Sequence, residues 1–109
     1  MIQEKLSTCI EACNDCATAC DYCAAACLRE DDVAKMAECI RTDIDCAQMC
    51  RLASAMMARD SKFVSQVCHL CAKICDECAA VCEQHDDQHC QDCARACRRC
   101  AEECRKMAA

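Results

Sequence analysis

The sequence predicts an all-α fold, an up-down-up-down antiparallel four-helix bundle with a cysteine-lined core. Three observations predict it. The 109 residues include no Gly and no Pro, the residues that usually make tight turns and left-handed caps, so the chain reads as helix almost from end to end. Nineteen residues are Cys, far above ordinary usage. The pattern C-x-x-C-A-x-x-C-x-x-C-A-x-x-C runs without a mismatch from Cys13 to Cys27, from Cys68 to Cys82 and from Cys90 to Cys104. Spacings of three and four put these cysteines on one helix face, at the a and d heptad positions where Leu or Ile normally forms the seam.

Each helix follows from its copy of the repeat. The first, about residues 2–28, carries Cys9, Cys13, Cys16, Cys20, Cys23 and Cys27, with Cys9 adding one turn. The second, about residues 32–58, is a degenerate copy in which Met36, Cys39, Asp43, Cys46 and Cys50 occupy the five cysteine positions. The third, about residues 61–84, carries Cys68, Cys71, Cys75, Cys78 and Cys82. The fourth, about residues 87–107, carries Cys90, Cys93, Cys97, Cys100 and Cys104. Asp31 or Asp32, Asp60 or Ser61, and Asp86 or Asp87 are the candidate N-caps. Alanine follows each d cysteine of the full copies, at Ala17, Ala24, Ala72, Ala79, Ala94 and Ala101; a small residue there lets helices approach closely. Charges such as Glu11, Asp15, Lys73, Glu77, Arg95 and Arg99 lie outside the stripe. Short connections make successive helices antiparallel, and the length suits one domain over residues 1–109.

Composition removes several function classes. The net charge of −6 with no basic stripe disfavours nucleic-acid binding. No run of about 18 apolar residues is present to span a membrane. The opening Met1-Ile2-Gln3-Glu4-Lys5-Leu6 has no apolar stretch of the signal-peptide kind, which favours the cytoplasm, where thiols stay reduced. An odd number of cysteines cannot all pair as disulfides. With no Trp, one Tyr (Tyr22) and one Phe (Phe63), no aromatic core can form, and cysteine must fill the interior.

Cysteine can be core filler, but a Leu seam buries more apolar area per position. Sixteen seam cysteines in three helices and three more in the second sacrifice packing repeatedly, which points to reactivity. Six C-x-x-C pairs are present, yet the thioredoxin motif needs a βαβ context. The ferredoxin spacing is absent. A closed four-ligand zinc site does not require a row of thiols along a whole axis. Soft thiolates select Cu(I), which accepts two or three sulfur ligands. If each thiolate bridges two ions, capacity approaches one Cu(I) per Cys, roughly 19 per chain. The expected function is non-catalytic storage of many Cu(I) ions. The alternatives are a thiol redox protein using its C-x-x-C pairs, or a zinc or cadmium thiolate buffer.

Three segments carry a family resemblance: Cys9-Ile10-Glu11-Ala12-Cys13, the stretch Cys39-Ile40-Arg41-Thr42-Asp43-Ile44-Asp45-Cys46-Ala47, and the stretch Cys82-Glu83-Gln84-His85-Asp86-Asp87-Gln88-His89-Cys90. Through them the chain resembles the cytosolic copper storage proteins, Cys-rich four-helix bundles holding many Cu(I) ions, from Cys9 to Cys104. The His pair is similar to that of the cytosolic branch. The resemblance implies assembly as a homotetramer.

The two ends of the predicted bundle differ. At one end the stripes continue as Ile2, Leu6, Ala53, Met57, Val64 and Met107, with Met56 and Phe63 nearby, forming an apolar plug. At the other, His85 and His89 extend the third stripe and Met36 the second, near Cys27, Cys39, Cys82 and Cys90. His85, His89 and Met36 are therefore candidate ligands where copper enters. His69 lies beside the stripe and reads as surface. Asp43 is a hard ligand ill matched to Cu(I), expected to hydrogen-bond in the core or reach solvent. Val33, Ala37, Ile40, Ile44 and Ala47 form a second apolar stripe on helix 2, a candidate partner surface.

Overall fold

In the computed structural model, which describes residues 3–108, four α-helices form the bundle: α1 (Glu4–Cys27), α2 (Ala37–Ala58), α3 (Val64–Cys82) and α4 (Gln88–Ala108). Each packs on its neighbours in a ring, α1 on α2 and α4, and α3 on α2 and α4. The short connections alternate their directions. The stripe alanines make this close packing possible: Ala17, Ala72, Ala79, Ala94 and Ala101 are buried between helices.

The helix ends differ in detail from the sequence expectation. The second helix begins with a 3₁₀ turn, Val33–Met36, capped by Asp32, whose carboxylate accepts from the Lys35 N–H at 3.3 Å. Asp60 does not cap α3. It closes α2 in the left-handed region at φ 52°, where Gly usually stands. Its N–H donates to the Met57 carbonyl at 3.0 Å, and the Ser61 N–H donates to that of Met56 at 3.0 Å. Ser61 Oγ accepts from the Phe63 N–H at 3.1 Å, one residue before α3. Asp87 precedes α4, its carbonyl accepting from the N–H groups of Cys90 and Gln91.

Of the plug residues, Leu6, Ala53 and Met57 are buried, and Met56, Val64 and Met107 are partly buried and packed against the core. Ile2 lies outside the described residues. Phe63 stays out of the plug, half-exposed with Lys62 Nζ 5.4 Å from its ring centre. The second stripe of α2 is divided: Ala47 is buried and Ile40 packs on the core, whereas Ile44 is 45% exposed. Ion pairs tie the outer faces together, Arg51 to Asp21, Arg99 to Asp15, and Arg98 to Asp76 and Glu83. All are solvent-exposed, and such pairs contribute about 0–1 kcal/mol each.

Candidate metal centre

The helical repeat turns every cysteine inward. All nineteen are fully buried and none is in a disulfide. Neighbouring sulfurs lie 3.5 Å apart at Cys39–Cys82, 3.6 Å at Cys50–Cys75 and Cys16–Cys97, and 4.0 Å at Cys46–Cys50. These are van der Waals and weak S–H contacts, far beyond the ~2.05 Å of an S–S bond. Sulfurs from different helices converge in overlapping sets of four, each with its Sγ atoms within 4.8 Å of one another. Cys13, Cys71, Cys100 and Cys104 form one near the plug. Cys16, Cys46, Cys50 and Cys75 form another, and Cys20, Cys78, Cys93 and Cys97 a third. Cys23, Cys27, Cys39 and Cys90 form the set at the far end. A further set, Cys16, Cys20, Cys46 and Cys97, shares members with the second and the third and joins them. An ion bound by two thiolates has the next pair within one step.

Asp43 interrupts this row. It is fully buried on α2 and accepts from the thiols of Cys78 at 3.2 Å, Cys93 at 3.3 Å, Cys82 at 3.5 Å and Cys39 at 3.8 Å. Of the two expectations for it, hydrogen bonding within the core is the one realised. Burial pushes its carboxyl far above the usual carboxylate range.

The end beyond Cys27 is polar. His89 does not extend α3, which stops at Cys82; it sits in the first turn of α4. From there its Nδ1 lies 3.5 Å from Cys23 Sγ, 3.5 Å from Cys90 Sγ and 3.9 Å from Cys27 Sγ. Its Nε2 lies 3.0 Å from Glu30 Oε2. Burial opposes a charge on this ring, but hydrogen bonds to Cys23 and Glu30 outweigh it and raise the pKa above the ordinary 6.5. The Cys23 thiol is pulled down to about 5, first by hydrogen bonding to Cys39 and Cys82 and further by His89. Burial pushes the Cys27 and Cys90 thiols up.

His85 lies in the turn between α3 and α4, its carbonyl accepting from Gln91 Nε2 at 2.6 Å. With Met36, Glu30, Lys35, Asp86 and Asp87 it borders an outward-facing cavity of about 290 Å³. Met36 is buried in the 3₁₀ turn beside it. His85 and Met36 thus meet at this mouth, while the His89 ring nitrogen lies within hydrogen-bond distance of the thiols. His69 is exposed. The residue missed from the sequence is Glu30. It stands three residues beyond Cys27, in phase with the α1 stripe, so extending that stripe as the others were extended finds it.

A family profile described as copper storage protein matches residues 2–109. No curated protein matches the chain significantly. Among solved structures, Cu(I)-bound copper storage protein BsCsp3 is 48% identical at a TM-score of 0.93, covering 97% of this chain and 100% of that one. The apo copper storage protein 3 of Bacillus subtilis is 48% identical at a TM-score of 0.88, covering 94% and 98%. A cytosolic copper storage protein from Streptomyces lividans, described with five coppers, is 40% identical at a TM-score of 0.93, covering 96% and 92%.

Proposed function

The chain belongs to the copper storage protein family, and on that premise we propose that it stores Cu(I) in the reducing cytosol on the thiolates of its bundle core. The observation that carries this reading is the nineteen buried, unpaired thiols gathered in the bundle core. Soft sulfur in low coordination suits Cu(I). Each ion displaces one thiol proton, so each Cu⁺ balances one thiolate and the core fills without accumulating charge. Zn²⁺ at the same ratio adds a net positive charge per ion to a buried core, which is costly. A thiol redox enzyme needs an exposed, activated pair, whereas every cysteine here is buried. The protein is accordingly a sink without catalysis.

Copper enters through the mouth bordered by Met36 and His85, passes to His89, and reaches the Cys23, Cys27 and Cys90 sulfurs. These residues and all nineteen cysteines are the proposed ligands. The whole chain acts as one storage domain and assembles as a homotetramer, with copper ions as its cargo. Anaerobic titration of the reduced protein with Cu(I) tests the reading. More than about ten ions per chain are expected, because neighbouring thiolates can bridge ions along the whole row. Saturation at about four or fewer overturns it in favour of a single cluster.

A further inference from the structure

We propose that Glu30 is a positioning residue for copper transfer, holding the His89 ring so that its Nδ1 lone pair faces the Cys23, Cys27 and Cys90 thiols. The inference rests on the storage reading and deepens it. A carboxylate only accepts hydrogen bonds, so Glu30 Oε2, 3.0 Å from His89 Nε2, requires the proton on Nε2. In a neutral imidazole the other nitrogen is then bare. That nitrogen is the one 3.5 Å from both Cys23 and Cys90 Sγ. A Cu(I) ion bound at Nδ1 can therefore take a sulfur partner before it leaves nitrogen, and at no stage is it uncoordinated.

Backbone structure fixes the carboxylate where it acts. The Glu30 N–H donates to the Cys27 carbonyl at 3.2 Å, in the turn that closes α1. Glu30 thereby spans the mouth from the end of α1 to the start of α4. Without it, the ring can rotate about its Cβ–Cγ bond and present the protonated nitrogen to the thiols. Outer partners of a ligating His typically change metal affinity or activity by 10–100-fold when removed. The carboxylate also attracts Cu⁺ by its charge, and the test must separate this from positioning.

Reduced wild-type protein and the variants Glu30→Ala, Glu30→Gln, His89→Ala and Glu30→Ala/His89→Ala are loaded from a Cu(I) chelate, following rate and saturation. Glu30→Ala should slow uptake by about tenfold with the saturating stoichiometry unchanged. Glu30→Gln, which keeps an acceptor without the charge, should recover most of the rate. The double variant should be no slower than His89→Ala alone. Long-range proton–nitrogen spectra of the apo wild type, recorded at a pH where the ring is neutral, should show His89 protonated at Nε2 and bare at Nδ1, a pattern blurred in Glu30→Ala. Wild-type uptake in Glu30→Ala, a Glu30→Gln variant as slow as Glu30→Ala, or a proton on Nδ1 in the wild type each overturns the positioning role. Those results leave a large copper capacity standing, whereas a wild type that binds few ions overturns the storage reading itself.

Discussion

At the scale of single residues, two titrating groups make the chemistry of the core measurable. Asp43 sits among four thiols with its carboxyl pushed far upward by burial. The folded protein then keeps a proton that the unfolded chain has lost above pH ~4. The native state binds more protons, so stability falls as pH rises through the neutral range, by at most about 1.4 kcal/mol per unit for this one group. Asp43→Asn cannot ionise and keeps an acceptor for the thiols. The metal-free, reduced variant should therefore exceed the wild type at pH 7 by more than about 1 kcal/mol and match it near pH 4. Denaturant melts at both values check this, and parallel pH profiles would reject it. His89 titrates in the opposite sense for function. Its protonated form cannot bind Cu(I), and its raised pKa places the change above 6.5. Wild-type uptake should slow as pH falls through that region, in addition to any slowing from thiol protonation. His89→Ala shares the thiol background, so stopped-flow loading of the variant should lack this extra inflection.

Helices and their inward faces were legible in the sequence because a seven-residue cysteine repeat has only one helical reading. Their ends were legible to within a few residues but not in detail, for a physical reason. With no Gly or Pro, the usual punctuation is missing, and aspartate does several jobs that look alike in sequence. Asp32 caps the 3₁₀ turn before α2, Asp60 takes the left-handed position after it, and Asp87 precedes α4. His85 and His89 stay in phase with Cys82, which made both read as continuing the third stripe, although the predicted fourth helix already began before His89. The chain instead turns after Cys82, and His89 reaches the thiols of α1 from α4. The Asp60 turn can be tested directly. A β-carbon at φ 52° is strained, though less for Asp than for most residues. Asp60→Gly should stabilise the apo bundle by about 0.5 kcal/mol, even with the extra freedom Gly gives the unfolded chain. Asp60→Val should destabilise it by more than about 1 kcal/mol. If both variants melt at the wild-type temperature, the turn is not strained.

At the scale of the whole molecule, the bundle is a cylinder of 46 × 20 × 18 Å with a closed apolar end and a polar mouth. The interior needs no ion to fill it, since the thiols already touch at 3.5–4.0 Å and a protonated Cys packs as a small hydrophobe. Metal-free, reduced protein should therefore give a strongly helical far-ultraviolet circular dichroism spectrum; a random-coil spectrum would mean that metal drives folding. The outside is less complete than the inside. Ile44, Leu52 and Leu70 are each close to half exposed on α2 and α3. Leu52 and Ile74 border a shallow groove with Met49 between these helices. Of the surplus stripe marked in the sequence, Val33, Ala37 and Ile44 are exposed, whereas Ala47 is buried and Ile40 packs on the core. Apolar surface of this kind often marks a protein interface. Placing charge there costs little in a monomer, because the side chains already meet water, but is severe in a buried interface. Ile44→Glu with Leu52→Glu should thus lower the native mass in solution while leaving the copper capacity of each chain intact, since both side chains are about half exposed while every thiol is buried. An unchanged native mass would exclude this face from the assembly.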